Sequence, residues 1–204
     1  MLHNSYKTGS LPSIVIVLGG ETQEPGDPVP AEHQGNYGMF EQIAIPEYRN
    51  GYDVWMYNED DVDWFDGEGA AYDEIVDAIQ GRGVTQVAII GYSHGGGATY
   101  QLAERLYRNT VSGDLTDITN PFTVPFTAYI DAVTSYTAGQ ENRRPLLSQF
   151  HCNQYQTNLP LRGGPSNGDD DIDRTNLGVV HGTIDDNETV VALVRMRMGQ
   201  RIIR

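Results

Sequence analysis

Several residue types are scarce in this sequence of 204 residues, and each scarcity excludes a class of protein. Cys152 is the only cysteine, so neither an intramolecular disulfide nor a thiolate metal cluster can form, and we expect it to be a small buried side chain. Lys7 is the only lysine among 13 basic residues, which face 28 acidic ones. The resulting net charge of −15 disfavours binding to nucleic acid and to anionic lipid, because both are negatively charged.

Long apolar runs are also missing. No stretch reaches the roughly 18 apolar residues that a membrane-spanning helix requires. The first apolar run, residues 14–18, is too short for the core of a signal peptide and is not followed by a small-residue cleavage pattern. We therefore expect a cytoplasmic protein, or a secreted one from which a leader has been removed. The length predicts one well-buried domain over residues 1–204.

The order of the predicted elements indicates the fold class. Strands and helices alternate, which predicts an α/β fold with a mostly parallel sheet flanked by helices. Strands are predicted at residues 13–18, 52–57, 84–90 and 150–155, and another begins after Pro125 and ends at Ile130. Helices are predicted at residues 39–48, at 70–80 with Gly81 in the C′ position, and from Gly95 to about Tyr107. A capping box of Asp185 and Glu188 predicts the start of the last helix, and residues 163–176 are predicted to be a surface loop.

The sequence Gly91-Tyr92-Ser93-His94-Gly95 follows the third predicted strand without a gap and opens an amphipathic helix. This is the strand–turn–helix setting of a nucleophile elbow, in which a sharp turn leaves no room for side chains at the two glycine positions. With this motif, GYSHGG over residues 91–96, the chain resembles the α/β-hydrolase superfamily, and the resemblance covers most of its length. It implies Ser93 as the nucleophile, followed in chain order by an acid at the end of a later strand and by a histidine in a loop near the C-terminus.

Asp131 is the first candidate for the acid. It ends the predicted strand AYID, and the carboxyl ends of parallel strands lie together, so its carboxylate should emerge at the same edge of the sheet as Ser93. Many members of the superfamily take the acid from one strand further on. The alternatives are the acids of the later Gly/Asp-rich loop, namely Asp169, Asp170, Asp171 and Asp173.

His181 is the first candidate for the base, because it precedes the last helix, where the superfamily places this residue. A base must reach the serine hydroxyl with one ring nitrogen while an acid holds the other. His151 is the alternative, although a structural role suits it better. His3 is close to the terminus, and His33 lies in the early loop.

An oxyanion hole needs two backbone N–H groups that point at the same oxygen. The amide of His94, directly after the nucleophile, is expected to be one donor. The second is expected from the loop after the first strand, from Gly20 or Glu21, and the sequence leaves this choice open.

Two further features are weaker. Trp64 and Phe65 interrupt an acidic loop and are expected either to line a substrate cleft or to anchor this loop. The acidic loop lacks the spacing of an EF-hand, so its acids are more typical of a solvated surface than of a calcium site.

The sequence thus predicts a serine hydrolase that cleaves carboxylic esters through an acyl-enzyme, and it implies neither a cofactor nor a metal. The interval between Asp131 and His181 is too short for a large cap domain, so we expect an open site like those of compact cutinase-like esterases and small lipases. A thioesterase, an amidase or an acyltransferase would use the same triad. A binding module that has lost turnover is the alternative outside enzymes, but it would have no reason to retain all three residues.

Overall fold

The computed structural model describes residues 11–21, 23, 25, 38–133, 142–166, 171–176 and 178–204. Six strands form one sheet in the order β2-β1-β3-β4-β5-β6, and all neighbouring strands are parallel. The strands are β1 (Ser13–Leu18), β2 (Asp53–Tyr57), β3 (Gln86–Tyr92), β4 (Thr123–Ile130), β5 (His151–Tyr155) and β6 (Ile172–Thr175). The predicted α/β class with a mostly parallel sheet is therefore confirmed.

The described residues form four α-helices that flank this sheet. They are α1 (Ile45–Arg49), α2 (Ala70–Arg82), α3 (His94–Tyr107) and α4 (Glu188–Gly199). π-Helical turns precede α1 (Phe40–Ala44) and follow α3 (Arg108–Ser112), and short 3₁₀ turns occur at Glu59–Asp61 and His181–Thr183. None of the helices in the described ranges combines the length and the apolar character needed to cross a membrane.

Two hydrophobic cores lie on opposite faces of the sheet. Val15 and Val17 of β1 pack with Val190 and Val194 of α4, in the same core as the fully buried Cys152. The alternate side chains of β1 pack on the other face, against apolar residues of α2 and α3. Because both faces are covered, β1 reads in the sequence as one continuous apolar run rather than as an alternating one.

The strand order creates the crevice in which a site can form. β1 lies between β2 and β3, so the chain moves outward from β1 to one side and then returns to continue on the other side. The crevice outside the carboxyl ends of the strands at such a switch point is where open α/β sheets bind ligands. The loop after β1 and the turn after β3 meet there.

Two strand predictions are wrong in part. β4 begins at Thr123, before Pro125, because the register shifts there: Gln86 pairs with Thr123, but Ala88 pairs with Phe126. This irregularity accommodates a residue that has no backbone N–H to donate. Residues 163–176 are not all loop, since Ile172–Thr175 forms the edge strand β6; a short and largely polar edge strand carries little apolar signal.

Two predicted helix boundaries are also wrong. α2 continues past Gly81 to Arg82, and Gly83 at φ +74° takes the left-handed position at its end. α4 is capped by Asn187, whose side chain accepts hydrogen bonds from the amides of Thr189 and Val190. Asp185 does not cap this helix; it is fully buried and accepts a hydrogen bond from Gln23.

Candidate active site

Ser93 occupies a strained turn between β3 and α3. Its backbone has φ +53° and ψ −124°, a conformation that costs a residue with a side chain roughly 1–3 kcal/mol. The flanking glycines are required by space. A Cβ at Gly91 would lie 2.0 Å from the carbonyl oxygen of Gly95, and one at Gly95 would lie 2.4 Å from that of Leu18. The turn therefore packs its own backbone tightly against β1 while holding the Ser93 side chain at the carboxyl edge of the sheet.

Ser93, His181 and Asp131 form a continuous chain of hydrogen bonds. Ser93 Oγ lies 2.8 Å from His181 Nε2, and His181 Nδ1 lies 2.7 Å from Asp131 Oδ2. Ser93 and Asp131 are buried, and 13% of the His181 side chain is exposed. The structure thus brings together the three residues that the sequence predicts as nucleophile, base and acid.

Asp131 directly follows β4 and is held by several donors. Its Oδ1 accepts hydrogen bonds from the backbone amides of Gln156 (3.0 Å) and Gly163 (2.7 Å). Its Oδ2 accepts a further bond from the side-chain amide of Gln156 at 2.7 Å, in addition to the contact with His181. Such a set of donors stabilises an ionised carboxylate inside the protein.

Gln156 and Gly163 were missed by the sequence analysis. A Cβ at Gly163 would lie 2.7 Å from Asp131 Oδ1, so this position must remain small for its amide to reach the carboxylate. Gln156 is the first residue after β5, at the same edge of the sheet as Asp131. That position was the only available signal, and it becomes informative only when β4 and β5 are known to be neighbours.

Tyr92 fixes the loop that carries the base. Its hydroxyl donates a hydrogen bond to the carbonyl oxygen of His181 at 2.7 Å, and the two rings stack with centroids 5.2 Å apart. Burial raises the pKa of Tyr92, and the nearby carboxylates of Asp185 and Asp131 raise it further, so the phenol remains a donor. The residue before Ser93 therefore orients His181.

The residues expected to form the oxyanion hole lie beside Ser93. His94 begins α3, and a Cβ at Gly20 would lie only 2.7 Å from the Cβ of Ser93. The amide of Gly20 donates to Gln23 Oε1 at 3.1 Å. The carboxylate of Glu21 lies 2.8 Å from His94 Nδ1 and so joins the loop after β1 to the start of α3.

His151 and Asp171, the alternative base and acid, lie away from Ser93. His151 begins β5, at the opposite end of this strand from the residues that hold Asp131. Its Nδ1 lies 2.7 Å from Thr127 Oγ1, and burial, with Arg144 nearby, lowers its pKa to about 3. Asp171 accepts a hydrogen bond from the amide of His151 and forms an ion pair with Arg144.

The remaining alternatives can be placed only in part. Asp173 lies within β6. The other candidates from the sequence fall outside the described residues; they are His3, His33, Asp169 and Asp170.

The loop that carries Trp64 and Phe65 is bonded to α3. The carbonyl oxygen of Trp64 accepts a hydrogen bond from Gln101, which is about 12 Å along the helix axis from Ser93 at 1.5 Å per residue. Arg105, one turn further, forms ion pairs with Asp66 and Glu68. These contacts favour the anchoring role, and a part for either aromatic residue in substrate binding stays a prediction.

Within the described ranges, one group of possible metal ligands lies near the elbow. Ligand atoms of Glu21, Glu59 and His94 lie within 4.8 Å of one another. The side chains of this group take no part in the hydrogen bonds that join Ser93, His181 and Asp131.

Three exposed apolar residues lie on segments that are bonded to the site or adjoin His181 in sequence, and we call them the apolar rim. It consists of Leu159, Leu161 and Val180, whose exposed fractions are 75%, 54% and 50%. The loop containing the two leucines is tied to the site, because Gln156 Nε2 donates to the carbonyl oxygen of Leu161 and Asn158 donates to that of Val179. Exposed apolar side chains grouped beside a polar site are typical of a surface that binds an apolar ligand.

Comparison with known proteins gives no independent assignment. No protein-family model matches the chain, and no curated protein matches it. The functional argument therefore depends on the geometry of the site.

Proposed function

We propose that the protein is a serine hydrolase that cleaves carboxylic esters through an acyl-enzyme on Ser93. The observation that carries the proposal is the pair of hydrogen bonds from Ser93 Oγ to His181 Nε2 and from His181 Nδ1 to Asp131 Oδ2, at 2.8 and 2.7 Å. This arrangement is the one that nucleophilic catalysis by serine requires: a base within reach of the hydroxyl, and an acid that orients the base.

The first half of the reaction forms the acyl-enzyme. Nε2 of His181 accepts the Ser93 proton as Oγ attacks the ester carbonyl carbon, and the carbonyl π electrons move onto the oxygen. Asp131 keeps the Nδ1–H tautomer of His181 and stabilises the imidazolium. When the tetrahedral intermediate collapses, the C–O bond to the alcohol breaks and His181 gives its proton to the leaving alkoxide oxygen.

The second half releases the acid. Water takes the place of the alcohol, and His181 removes its proton while the oxygen attacks the acyl carbon. Collapse of the second tetrahedral intermediate returns the proton to Ser93 Oγ and frees the carboxylic acid. In both halves the amide of His94, together with an amide of the loop after β1, holds the negative oxygen, and the N-terminus of α3 favours the same charge.

The apolar rim supports esters with an apolar acyl or alcohol part as the substrate class. Leu159, Leu161 and Val180 present exposed hydrocarbon on segments around the site, and burying a side chain of this size contributes roughly 1.5–3 kcal/mol. A substrate that covers the rim while its carbonyl lies at Ser93 would gain this energy on binding.

Covalent labelling with a fluorophosphonate tests the proposal directly. Intact mass should show one adduct, and peptide mapping should place it on Ser93, because only an activated serine beside oxyanion donors reacts rapidly. A folded protein that resists the reagent contradicts the proposal. Among labelled proteins, turnover on a matched panel of ester, thioester and amide separates an esterase from the enzymes that share its triad.

A further inference from the structure

Gln23 is a buried residue that bonds to the backbone of the loop after β1. Only 1% of it is exposed. Its carboxamide oxygen accepts the hydrogen bond from the amide of Gly20 at 3.1 Å, and its own backbone amide donates to the carbonyl oxygen of Gly20 at 2.9 Å. A Cβ at Gly19 would lie 2.8 Å from the Cβ of Gln23, so the side chain is packed directly against the two glycines.

Asp185 determines which way the Gln23 carboxamide points. Gln23 Nε2 donates to Asp185 Oδ2 at 3.0 Å, and Asp185 is fully buried. The backbone amide of Gly20 can only donate, so Oε1 of Gln23 faces it, and Nε2 is left to donate to the carboxyl group of Asp185. Asp185 lies shortly after the turn that begins with His181, and therefore Gln23 joins the loop after β1 to the segment that carries the base.

The position of this loop relative to Ser93 is critical. The backbone at Gly20 approaches the nucleophile so closely that an added Cβ would lie 2.7 Å from the Cβ of Ser93. An oxyanion donor acts through a hydrogen bond of about 2.7–3.1 Å, so a shift of 1 Å in this loop removes most of its effect.

We propose that Gln23, held by Asp185, is a positioning residue that fixes the Gly20–Glu21 backbone against Ser93 and leaves the amide of Glu21 to act with that of His94 on the oxyanion. The amide of Gly20 is directed at Gln23, so the next amide along the loop is the one that remains for the substrate. This inference rests on the proposed ester hydrolysis, and it decides between the two donors that the sequence left open.

Gln23→Ala tests the positioning role. It should lower kcat for a short-chain ester, and the rate of fluorophosphonate labelling, by about tenfold or more, while KM stays within about twofold, because the loop acts on the transition state rather than on the bound ester. Gln80→Ala is the matched control. Its carboxamide also holds a loop, through the amide of Asn120 and the hydroxyl of Thr119, but it does so at the end of α2, so kcat should not change.

Exchanging the amide and the carboxyl group between positions 23 and 185 tests whether their hydrogen bond sets kcat, which a merely structural role would not predict. Gln23→Glu places a second carboxyl group next to the buried Asp185, so activity should fall as the pH rises and both groups become ionised. Adding Asp185→Asn restores the hydrogen bond between positions 23 and 185 with donor and acceptor exchanged, while the amide of Gly20 still donates to position 23. The double variant should therefore recover most of the lost kcat.

The inference is overturned if Gln23→Ala keeps kcat and labelling rate within about twofold, or if only KM changes. It is also overturned if the double variant is folded but recovers no activity. The unfolding transition of each variant, measured at the assay pH, confirms that the compared proteins are folded. A wild-type protein that is not labelled at Ser93 contradicts the proposed function itself, whereas a labelled wild type with an equally reactive Gln23→Ala contradicts this inference alone.

Discussion

Asp131 Oδ2 lies 2.7 Å from Nδ1 of His181, although 50 positions separate the two residues in the chain. The carboxylate is fully buried, and its remaining hydrogen-bonding capacity is used by the amides of Gln156 and Gly163 and by the side chain of Gln156. Asp131 is therefore positioned by Gln156 and Gly163, which both follow β5, while its Oδ2 also contacts His181.

Replacement of Ser93 should separate catalysis from backbone strain. Both Ser93→Ala and Ser93→Gly should abolish ester hydrolysis and labelling, because each removes Oγ. Only Ser93→Gly relieves the strain at φ +53°, so it should be more stable than Ser93→Ala by about 1 kcal/mol in chemical denaturation. Equal stability of the two variants would show that the elbow stores little strain.

Replacement of the two histidines should have opposite consequences. His181→Ala should reduce turnover about as much as Ser93→Ala, since members of a triad act as a unit. His151→Ala should leave the kcat of the folded protein nearly unchanged and lower the free energy of unfolding by about 2–3 kcal/mol, because it leaves a cavity and removes one of the two hydrogen bonds of the Thr127 hydroxyl. Ester assays and denaturant titrations on both variants check this, and a reversed pattern would make His151 the base.

Asp131→Asn should slow acylation by roughly 10⁴-fold, because the wrong tautomer of His181 is then favoured and the imidazolium loses its partner. The amide nitrogen of the asparagine cannot accept from His181 Nδ1, and it would also face the side-chain amide of Gln156. The matched control is Asp171→Asn, which changes a carboxylate that pairs with Arg144 at the opposite end of β5 and should retain activity. Both are assayed on one short-chain ester, together with Asn replacements at Asp169, Asp170 and Asp173; a greater loss at any of these would move the acid to the later loop.

Stability should depend on pH through His151. Burial lowers the pKa of this residue from 6.5 to about 3, so below pH 6.5 the unfolded chain binds a proton that the folded protein does not. The free energy of unfolding should therefore fall as the pH drops from about 6.5 to about 3, by up to about 1.4 kcal/mol per pH unit from this group. His151→Gln should lack this part of the pH dependence, and urea titrations of both proteins between about pH 3 and 6.5 can measure the difference. Parallel pH profiles of the two proteins would show that the pKa of His151 is not lowered by folding.

The apolar rim should control selectivity for chain length. Leu159→Ser combined with Leu161→Ser should lower kcat/KM for an octanoate ester by about tenfold and that for an acetate ester by less than twofold, because only the longer acyl chain reaches the rim. Ile203→Ser is the control, since Ile203 is equally exposed but bonds to Ser13 and Gln86 at the opposite edge of the sheet. A uniform loss on both esters would indicate damage to the triad rather than to substrate binding.

The sequence by itself determined the α/β class and the location of the elbow. Continuous apolar runs mark β1 and β3, because strands covered on both faces need no polar alternation, and the glycines at 91 and 95 report a turn too crowded for side chains. Both requirements act on a few consecutive residues, so they can be recognised from a short stretch of the sequence. Two predictions failed for the opposite reason. A loop was predicted where the edge strand β6 lies, and Asp185 was predicted to cap a helix although it is a buried carboxyl group. The surroundings of both come from distant segments of the chain.

The tertiary structure alone decided which residues meet Ser93. Asp131 and Asp171 are both acids near strand ends, and the difference between them is that one follows a strand at the carboxyl edge of the sheet while the other contacts the start of β5. The roles of Gln156, Gly163 and Gln23 depend on hydrogen bonds across neighbouring strands and loops, and no sequence pattern predicts such bonds. Residue type and spacing specify what a segment can form, but the sheet order determines which segments end at the same place.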